Sequence, residues 1–383
     1  MMTMKDRSQC CGCTACSSVC AHGAIAMKPD ALGFVYPEVD ADKCVGCGLC
    51  DSVCAFIKGK EGLYKPLCAF GARNINEDEL MQSRSGGVFP VLAGNVLAEG
   101  GVVYGAAYSD GFRVAHKRAE DMEAVVEFCG SKYVQSDLDG IFAMVKADLK
   151  SGRKVLFSGT PCQVAGLKRF IPSSYEHNLL LVDIVCHGVP SPYVWRDYLA
   201  YQEKKHGGPV ESLSFRDKRL YGWKAHMESF LINGNTYSDR SFTYLFYEHV
   251  MLRDSCHSCP YSDTVRPGDV TLADFWGWQN NLPGFNADDK GVSLVICSTD
   301  KGQEAVMKAG RKLDIREVRL ENCLQPNLMH PSVPGKNREA FVRDYPVKGL
   351  EYVMRRYGDR GWRYKIYVIY MKLKRKLKAC LGI

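Results

Sequence analysis

Cys10-Cys11-Gly12-Cys13-Thr14-Ala15-Cys16-Ser17-Ser18-Val19-Cys20 is answered further along the chain by Cys44-Val45-Gly46-Cys47-Gly48-Leu49-Cys50-Asp51-Ser52-Val53-Cys54. Both read C-x2-C-x2-C-x3-C, and each cysteine lies 34 residues from its counterpart, so the pair is an internal repeat. Three thiolates at this spacing can close around three corners of an iron–sulfur cube, while the fourth, on the next helical turn, points towards a neighbouring cube. The spacing therefore groups Cys10, Cys13 and Cys16 with Cys54 on one [4Fe-4S] cluster. It groups Cys44, Cys47 and Cys50 with Cys20 on a second. Zinc sites usually take two C-x2-C knuckles rather than three evenly spaced thiols and a fourth. Ala21 and Ala55 replace the proline usual after the fourth cysteine, which loosens the turn without removing a ligand. Cys11 interrupts the first motif and reads as a bystander. Gly12, Gly46 and Gly48 let backbone N–H groups approach cluster sulfurs.

Outward from this repeat, the chain has 383 residues, 18 cysteines, a formal charge of +7 and 46% hydrophobic residues. That length and apolar fraction suit two or three domains with ordinary cores and exclude disordered, fibrous and coiled-coil classes. A protein of this size does not need disulfide staples, so the clustered thiols point to metal in a reducing, cytoplasmic setting. The polar start from Met1 to Cys20 argues against a secretory leader, and no apolar run approaches the ~18 residues of a membrane span.

The expected fold is α+β to mixed α/β. A ferredoxin-like dicluster domain (1–60) precedes an α/β region at 65–175, a second at 176–345 and a basic tail at 350–383. Lys58 to Pro66 reads as a linker. Ser85-Gly86-Gly87 opens an apolar helix to about Glu99, and Val102 to Tyr108 is a strand. A helix over Asp137 to Lys150 leads to a buried strand at Lys154 to Phe157. Ser158-Gly159-Thr160-Pro161-Cys162 turns into a helix towards Phe170, and a strand from Leu179 to Val185 ends at Cys186. Both glycine-bearing turns are places where an anion could meet unpaired N–H groups, or plain helix caps. Cys256 and Cys259 form a C-x2-C knuckle. Cys162 and Cys186 each follow a strand, and such positions converge at the carboxyl edge of an α/β sheet. Four thiols meeting there form a third metal site; a zinc knuckle with two core cysteines is the other reading. Cys68, Cys129, Cys297, Cys323 and Cys380 read as small buried hydrophobes.

S-G-G-V-F, S-G-T-P-C-Q, C-H-G-V-P-S-P, C-x2-C-P-Y and Gly268-Asp269-Val270-Thr271-Leu272-Ala273-Asp274-Phe275-Trp276-Gly277 occur in that order. The series resembles the coenzyme F-420 hydrogenase/dehydrogenase beta-subunit family over about residues 65–345, here behind a two-cluster ferredoxin domain. That family also includes the plant 7-hydroxymethyl chlorophyll a reductase. The resemblance implies FAD beside a [4Fe-4S] cluster held by Cys162, Cys186, Cys256 and Cys259. It implies flavin contacts at Ser85, Gly86, Gly87, Lys132, Tyr133 and Thr160.

Flavin exchanges electron pairs as hydride and releases them singly to clusters. The expectation is thus an iron–sulfur flavoprotein that reduces or oxidises a small organic substrate or deazaflavin, with a ferredoxin or another redox protein as partner. An electron-transfer subunit without its own substrate is the alternative. His187, His226 and Asp274 are candidate proton donors, each with a structural reading as loop cap, surface residue or fold-holding carboxylate.

From Val353 to Ile383 the chain carries ten Lys/Arg and one acidic residue, which accounts for all of the excess positive charge. Trp362, Ile366, Ile369, Leu373 and Leu377 recur at helical spacing. Such a helix packs its stripe on the body, lies peripherally on an anionic membrane or docks an acidic partner. Little points to nucleic acid.

Overall fold

The computed structural model describes residues 6–366, 369 and 370. The repeat region carries one hairpin, β1 (Ile25–Pro29) with β2 (Val35–Val39), paired antiparallel between its two cysteine motifs. The main body is built on one eight-stranded sheet. Its strands are β3 (Cys68–Asn74), β4 (Val102–Tyr108), β5 (Val114–Ala119), β6 (Val155–Gly159), β7 (Leu179–Ile184), β11 (Val270–Asp274), β12 (Ser293–Cys297) and β13 (Leu313–Val318). A separate three-stranded sheet holds β8 (Val210–Ser214), β9 (Glu228–Ile232) and β10 (Asn235–Asp239).

The large sheet runs β13-β3-β12-β11-β7-β6-β4-β5. β11, β7, β6 and β4 are parallel to their neighbours within that group, and the flanking pairings are antiparallel. Val155, Leu156 and Phe157 of β6 and Leu179 to Val182 of β7 are buried, the near-continuous apolar run of strands covered on both faces. Because β6 pairs with β7, residues 65–175 and 176–345 share this sheet. The four parallel strands end on a common edge, which places Tyr108, Thr160, Cys186 and Asp274 at the same rim.

The cysteine-rich lobe is seated on the body. Cys11, Cys13, Ala15 and Val53 share a core with Val102, Tyr104, Phe142 and Leu167, and Leu32, Phe34 and Tyr36 share another with Trp195 and Tyr198. Cys13 reaches the helix Pro161–Phe170 because position 166 is glycine, where a Cβ would stand 2.7 Å from Cys13 Sγ. The 58–66 segment is strapped down rather than a free linker. Lys168 and Arg169 donate to the carbonyls of Gly62, Gly59 and Glu61, and Tyr64 bridges to Arg266.

Under the carboxyl edge lies a fully buried ion pair, Arg266 with Asp183 at 2.7 Å. Asp183 also accepts the Gly268 N–H, and Arg266 donates to the carbonyls of Tyr261 and Ile184. Removing one member of such a pair leaves an uncompensated charge. Asp183→Ala is expected to cost about 3–5 kcal/mol, measured as a lower denaturant midpoint.

Beyond the helix Arg338–Arg356, the tail is moored by Arg360 to Ser241 and Asp239 and by Tyr364 to Arg240 and Tyr244. The described members of its apolar stripe do not pack on the body as one reading expected: Trp362, Ile366 and Ile369 are 67%, 56% and 58% exposed. The ring of Tyr364 makes the contact with the body instead. Leu373, Leu377 and Cys380 lie outside the described residues.

Candidate metal and redox site

Two recesses mark the repeat. One, of about 410 Å³, is lined by Cys20, Cys44, Cys47 and Cys50 together with Gly46, Gly48 and Val45. The other, of about 330 Å³, is lined by Cys10, Cys13, Cys16 and Cys54 with Cys11 and Gly12. Each thus draws three cysteines from one motif and the fourth from the other. The short helices Ala15–Val19 and Leu49–Ser52 start from the left-handed residues Thr14 and Gly48. Backbone N–H groups already face sulfur: Gly12 to Cys10 Sγ and Ala24 to Cys20 Sγ, each at 3.4 Å. The first recess is superficial, with Cys47 exposed, whereas Cys13 and Cys16 of the second are buried. We call these the outer and inner thiol groups.

At the sheet edge a third group assembles. Cys162 opens the helix after β6, Cys186 follows β7, and Cys256 and Cys259 arrive on the turn around Asp254–Ser258. Cys162 and Cys259 pack on one small core of Ala55, Ala165 and Tyr261, and a Cβ at Gly188 would stand 3.3 Å from Cys256 Cβ. Gly188 N–H donates to Cys186 Sγ and Val189 N–H to Cys256 Sγ, both at 3.4 Å. Burial pushes the Cys16 and Cys186 thiols up, Cys256 to about 12 and Cys259 to about 11. Thiolates are unfavourable at such positions until a cation binds them, since a coordinated thiol is deprotonated outright. That donor chemistry fits metal clusters better than a protein of free thiols.

Cys11, which interrupts the first motif, is buried in one core with Cys13 of the inner group, and Cys162 of the third packs against that core.

The three candidate proton donors also come together. Asp274, at the end of β11, accepts from Arg216 Nη1 at 2.5 Å and Trp223 Nε1 at 3.1 Å. Arg216 reaches on to Tyr133 Oη at 3.1 Å, and its guanidinium lies 5.3 Å from the Trp276 ring centre. His226 stacks 6.0 Å from Trp276, and its Nδ1 lies 2.6 Å from the Tyr247 hydroxyl. His187 meets the Tyr247 ring at 5.4 Å and His249 Nε2 at 2.6 Å. Desolvation raises the Asp274 carboxyl, but Arg216 and Arg84 outweigh it and hold it below the usual range. The sequence singled out three members of this network and Tyr133. It missed Arg84, just before the Ser85-Gly86-Gly87 turn, Arg216 and Trp223 between β8 and β9, and Tyr247 and His249 at the end of the helix Ser241–Tyr247, none of which carries a motif.

The residues implied for flavin divide in two. The N–H of Gly86 is committed to Ser293 Oγ, and a Cβ at Gly86 would stand 2.2 Å from Ala72 O, so this turn is a packing contact between β3 and β12. Ser85 Oγ donates to Val292 O, Gly87 O accepts from Asn74, and Thr160 caps its own helix with its hydroxyl 3.3 Å from Cys162 Sγ. Lys132 differs. Among the described residues its ammonium donates to the carbonyls of Cys129 and Gly130, burial lowers it to about 8, and it stands 5.5 Å from the Tyr108 ring centre. The Tyr108 hydroxyl is buried without a partner. A half-buried cation beside an unsatisfied hydroxyl fits an anionic cofactor group, so Lys132 is the member of the implied set with that character, while Tyr133 Oη is engaged by Arg216.

Residues 9–56 match the 4Fe-4S dicluster domain, and residues 152–322 match the C terminus of the coenzyme F420 hydrogenase/dehydrogenase beta subunit. The chain is thus similar to an oxidoreductase-type subunit over 152–322 and to an iron–sulfur domain over 9–56. The first match takes in all eight repeat cysteines. The second takes in Cys162, Cys186, Cys256, Cys259, His187, His226 and Asp274, while Ser85, Gly86, Gly87, Lys132 and Tyr133 precede it. Among solved structures, a chain of the F420-reducing [NiFe] hydrogenase complex from Methanosarcina barkeri is similar at 17% identity, with a TM-score of 0.47, covering 78% of this chain and 96% of that one. No curated protein sequence matches.

Burial, with Arg216 and Arg84 nearby, lowers His226 to about 4 from its ordinary 6.5. The folded protein thus resists a proton that the unfolded chain accepts. Stability present above pH 6.5 is lost as pH falls towards 4. His226→Phe should flatten that part of the stability profile, read by urea denaturation at stepped pH; an unchanged slope counts against this environment for His226.

Proposed function

We propose that this chain is an iron–sulfur flavoprotein oxidoreductase acting on a small organic substrate or deazaflavin. In this reading Cys20, Cys44, Cys47 and Cys50 hold one [4Fe-4S] cluster, Cys10, Cys13, Cys16 and Cys54 a second, and Cys162, Cys186, Cys256 and Cys259 a third. FAD lies beside Lys132 and Tyr133. Bound there, the clusters supply one-electron steps and FAD the exchange of an electron pair as hydride.

The observation that carries the reading is the order of the groups. The outer thiols are at the surface, the inner thiols against the body, the third set at the sheet edge, and the Asp274–Arg216–Tyr133 network on the same rim. Cys11 lies in one core with Cys13 of the inner group, against which Cys162 of the third packs. Val45 and Leu49, 63% and 48% exposed beside Cys47, form an apolar collar where a ferredoxin or other redox protein would dock. At the other end, Arg216 holds Asp274 ionised and orients Tyr133. His226, Tyr247 and His187 provide the groups that can hold a proton next to the Trp276 ring.

Protein purified without oxygen is expected to contain about twelve irons, four per cubane, and one FAD. Cys256→Ser should remove about four of those irons and spare the dicluster signal. Colourless protein with no paramagnetic signal after dithionite would overturn the assignment. Steady turnover of a small molecule by the isolated chain separates an enzyme from an electron-transfer subunit.

The tail supports a peripheral membrane contact, because its described apolar residues face outward and its surrounding charge is cationic. No helix among the described residues is long and apolar enough to cross a bilayer. Liposomes of anionic lipid should float the intact chain and leave behind a version ending at residue 357. Equal flotation removes the membrane role.

A further inference from the structure

Arg253 is fully buried, three residues before Cys256, and its guanidinium is surrounded by neutral groups. Nε donates to Cys10 O at 2.7 Å, Nη1 to Gln135 Oε1 at 2.9 Å and Nη2 to Val35 O at 2.8 Å. Its remaining polar contact is Nη2 to Cys10 Sγ at 3.5 Å. The group lies 4.1 Å from the Tyr36 ring centre and 5.5 Å from that of Phe34. Among the described residues no carboxylate comes within ion-pair distance of it. Asp254, next in sequence, is paired with Arg338.

A permanent charge buried this way is costly unless an anion faces it, and neutral carbonyls satisfy its hydrogens without cancelling its charge. Arginine does not escape by losing its proton. Besides the Tyr36 phenol and Cys11, the neighbours able to become anionic are Cys10 in contact and Cys13, Cys162 and Cys256 within reach of its field. Those four thiols belong to the inner and third groups, two to each. None of the outer thiols Cys20, Cys44, Cys47 and Cys50 is among them. The position is also built to last. Gln135, which accepts from Arg253, donates its own amide to Cys11 O, so the guanidinium and this amide together tie the loop carrying Cys10 to Cys13 to the body.

We propose that Arg253 is the shared counter-charge of the inner and third clusters and holds both of their reduction potentials up, leaving the outer cluster untouched. A cluster gains negative charge on reduction, so a fixed cation at its edge favours the reduced form, more strongly in a dry interior than in water. Burial alone pushes the other way. Without the guanidinium, the inner and third clusters would be the hardest to reduce, and electrons arriving at the surface would stay there. Arg253 is in this sense a positioning residue: it acts on electrons through the clusters and touches no substrate.

This inference rests on the three-cluster reading, and the test separates the two. Potentiometric titration of anaerobically prepared full-length protein, followed by electron paramagnetic resonance, gives one midpoint per cluster. Cys47→Ser perturbs the outer signal and so identifies it, and Cys256→Ser identifies the third. Arg253→Gln is expected to lower the inner and third midpoints, shifting electron occupancy against the outer cluster by about tenfold, equivalent to about 59 mV for one electron. Arg253→Lys, which keeps the charge, should restore most of the difference. If Arg253→Gln fails to retain iron, Gln135→Glu supplies the same information by placing a carboxylate on Nη1 while the arginine stays. It too should lower the inner and third midpoints. Unmoved midpoints in the iron-loaded variants, or an outer midpoint that moves equally, would overturn the proposal. Absence of iron from the wild type would instead overturn the three-cluster reading itself.

Discussion

Parallel pairing of β4, β6, β7 and β11 is the constraint on which the rest depends. Parallel neighbours finish on the same edge, so whatever follows each strand is delivered to one rim. Cys162 after β6, Cys186 after β7 and Asp274 at the end of β11 are far apart in the chain and neighbours only for this reason. The Arg266–Asp183 pair fastens the underside of that rim, with Asp183 on β7 and Arg266 leading into β11.

Charge is distributed along the molecule in a consistent way. Buried cations sit where anions are expected: Arg253 between the inner and third thiol groups, Arg216 and Arg84 around Asp274, and Lys132 near the unpaired Tyr108 hydroxyl. Burial alone would suppress every thiolate in the inner and third groups. Placing guanidinium charge and backbone N–H groups against them lets the same interior accept anions. Among the described residues no arginine lines the recess of the outer thiols, which lie nearer to solvent with His22, Lys43, Val45 and Leu49 around them.

The eight repeat cysteines could be grouped from spacing, because residues three or four apart in a tight loop have few places to go. Several strands and helices were also legible from apolar runs and glycine-bearing turns: β4, β6, β7 and the helices Val88–Ala98 and Pro161–Phe170. The small sheet β8-β9-β10 and its contribution of Arg216 and His226 were not, since hairpin strands of mixed polarity carry no period that fixes where they dock. Cys11 shows the same limit. Its neighbours in sequence make it look like an interruption, and only the approach of the helix after Gly159 buries it in a core with Cys13, against which Cys162 packs.

What the sequence by itself determined is the inventory and spacing of cysteines and their local loops, since backbone geometry over ten residues follows from residue type and spacing. Tertiary structure alone decided which thiols share a cation, which turn glycines are packing contacts, and on which side of the tail its apolar residues lie. Those outcomes depend on long-range burial, where charge, volume and hydrogen-bond partners arrive from segments a hundred or more residues away.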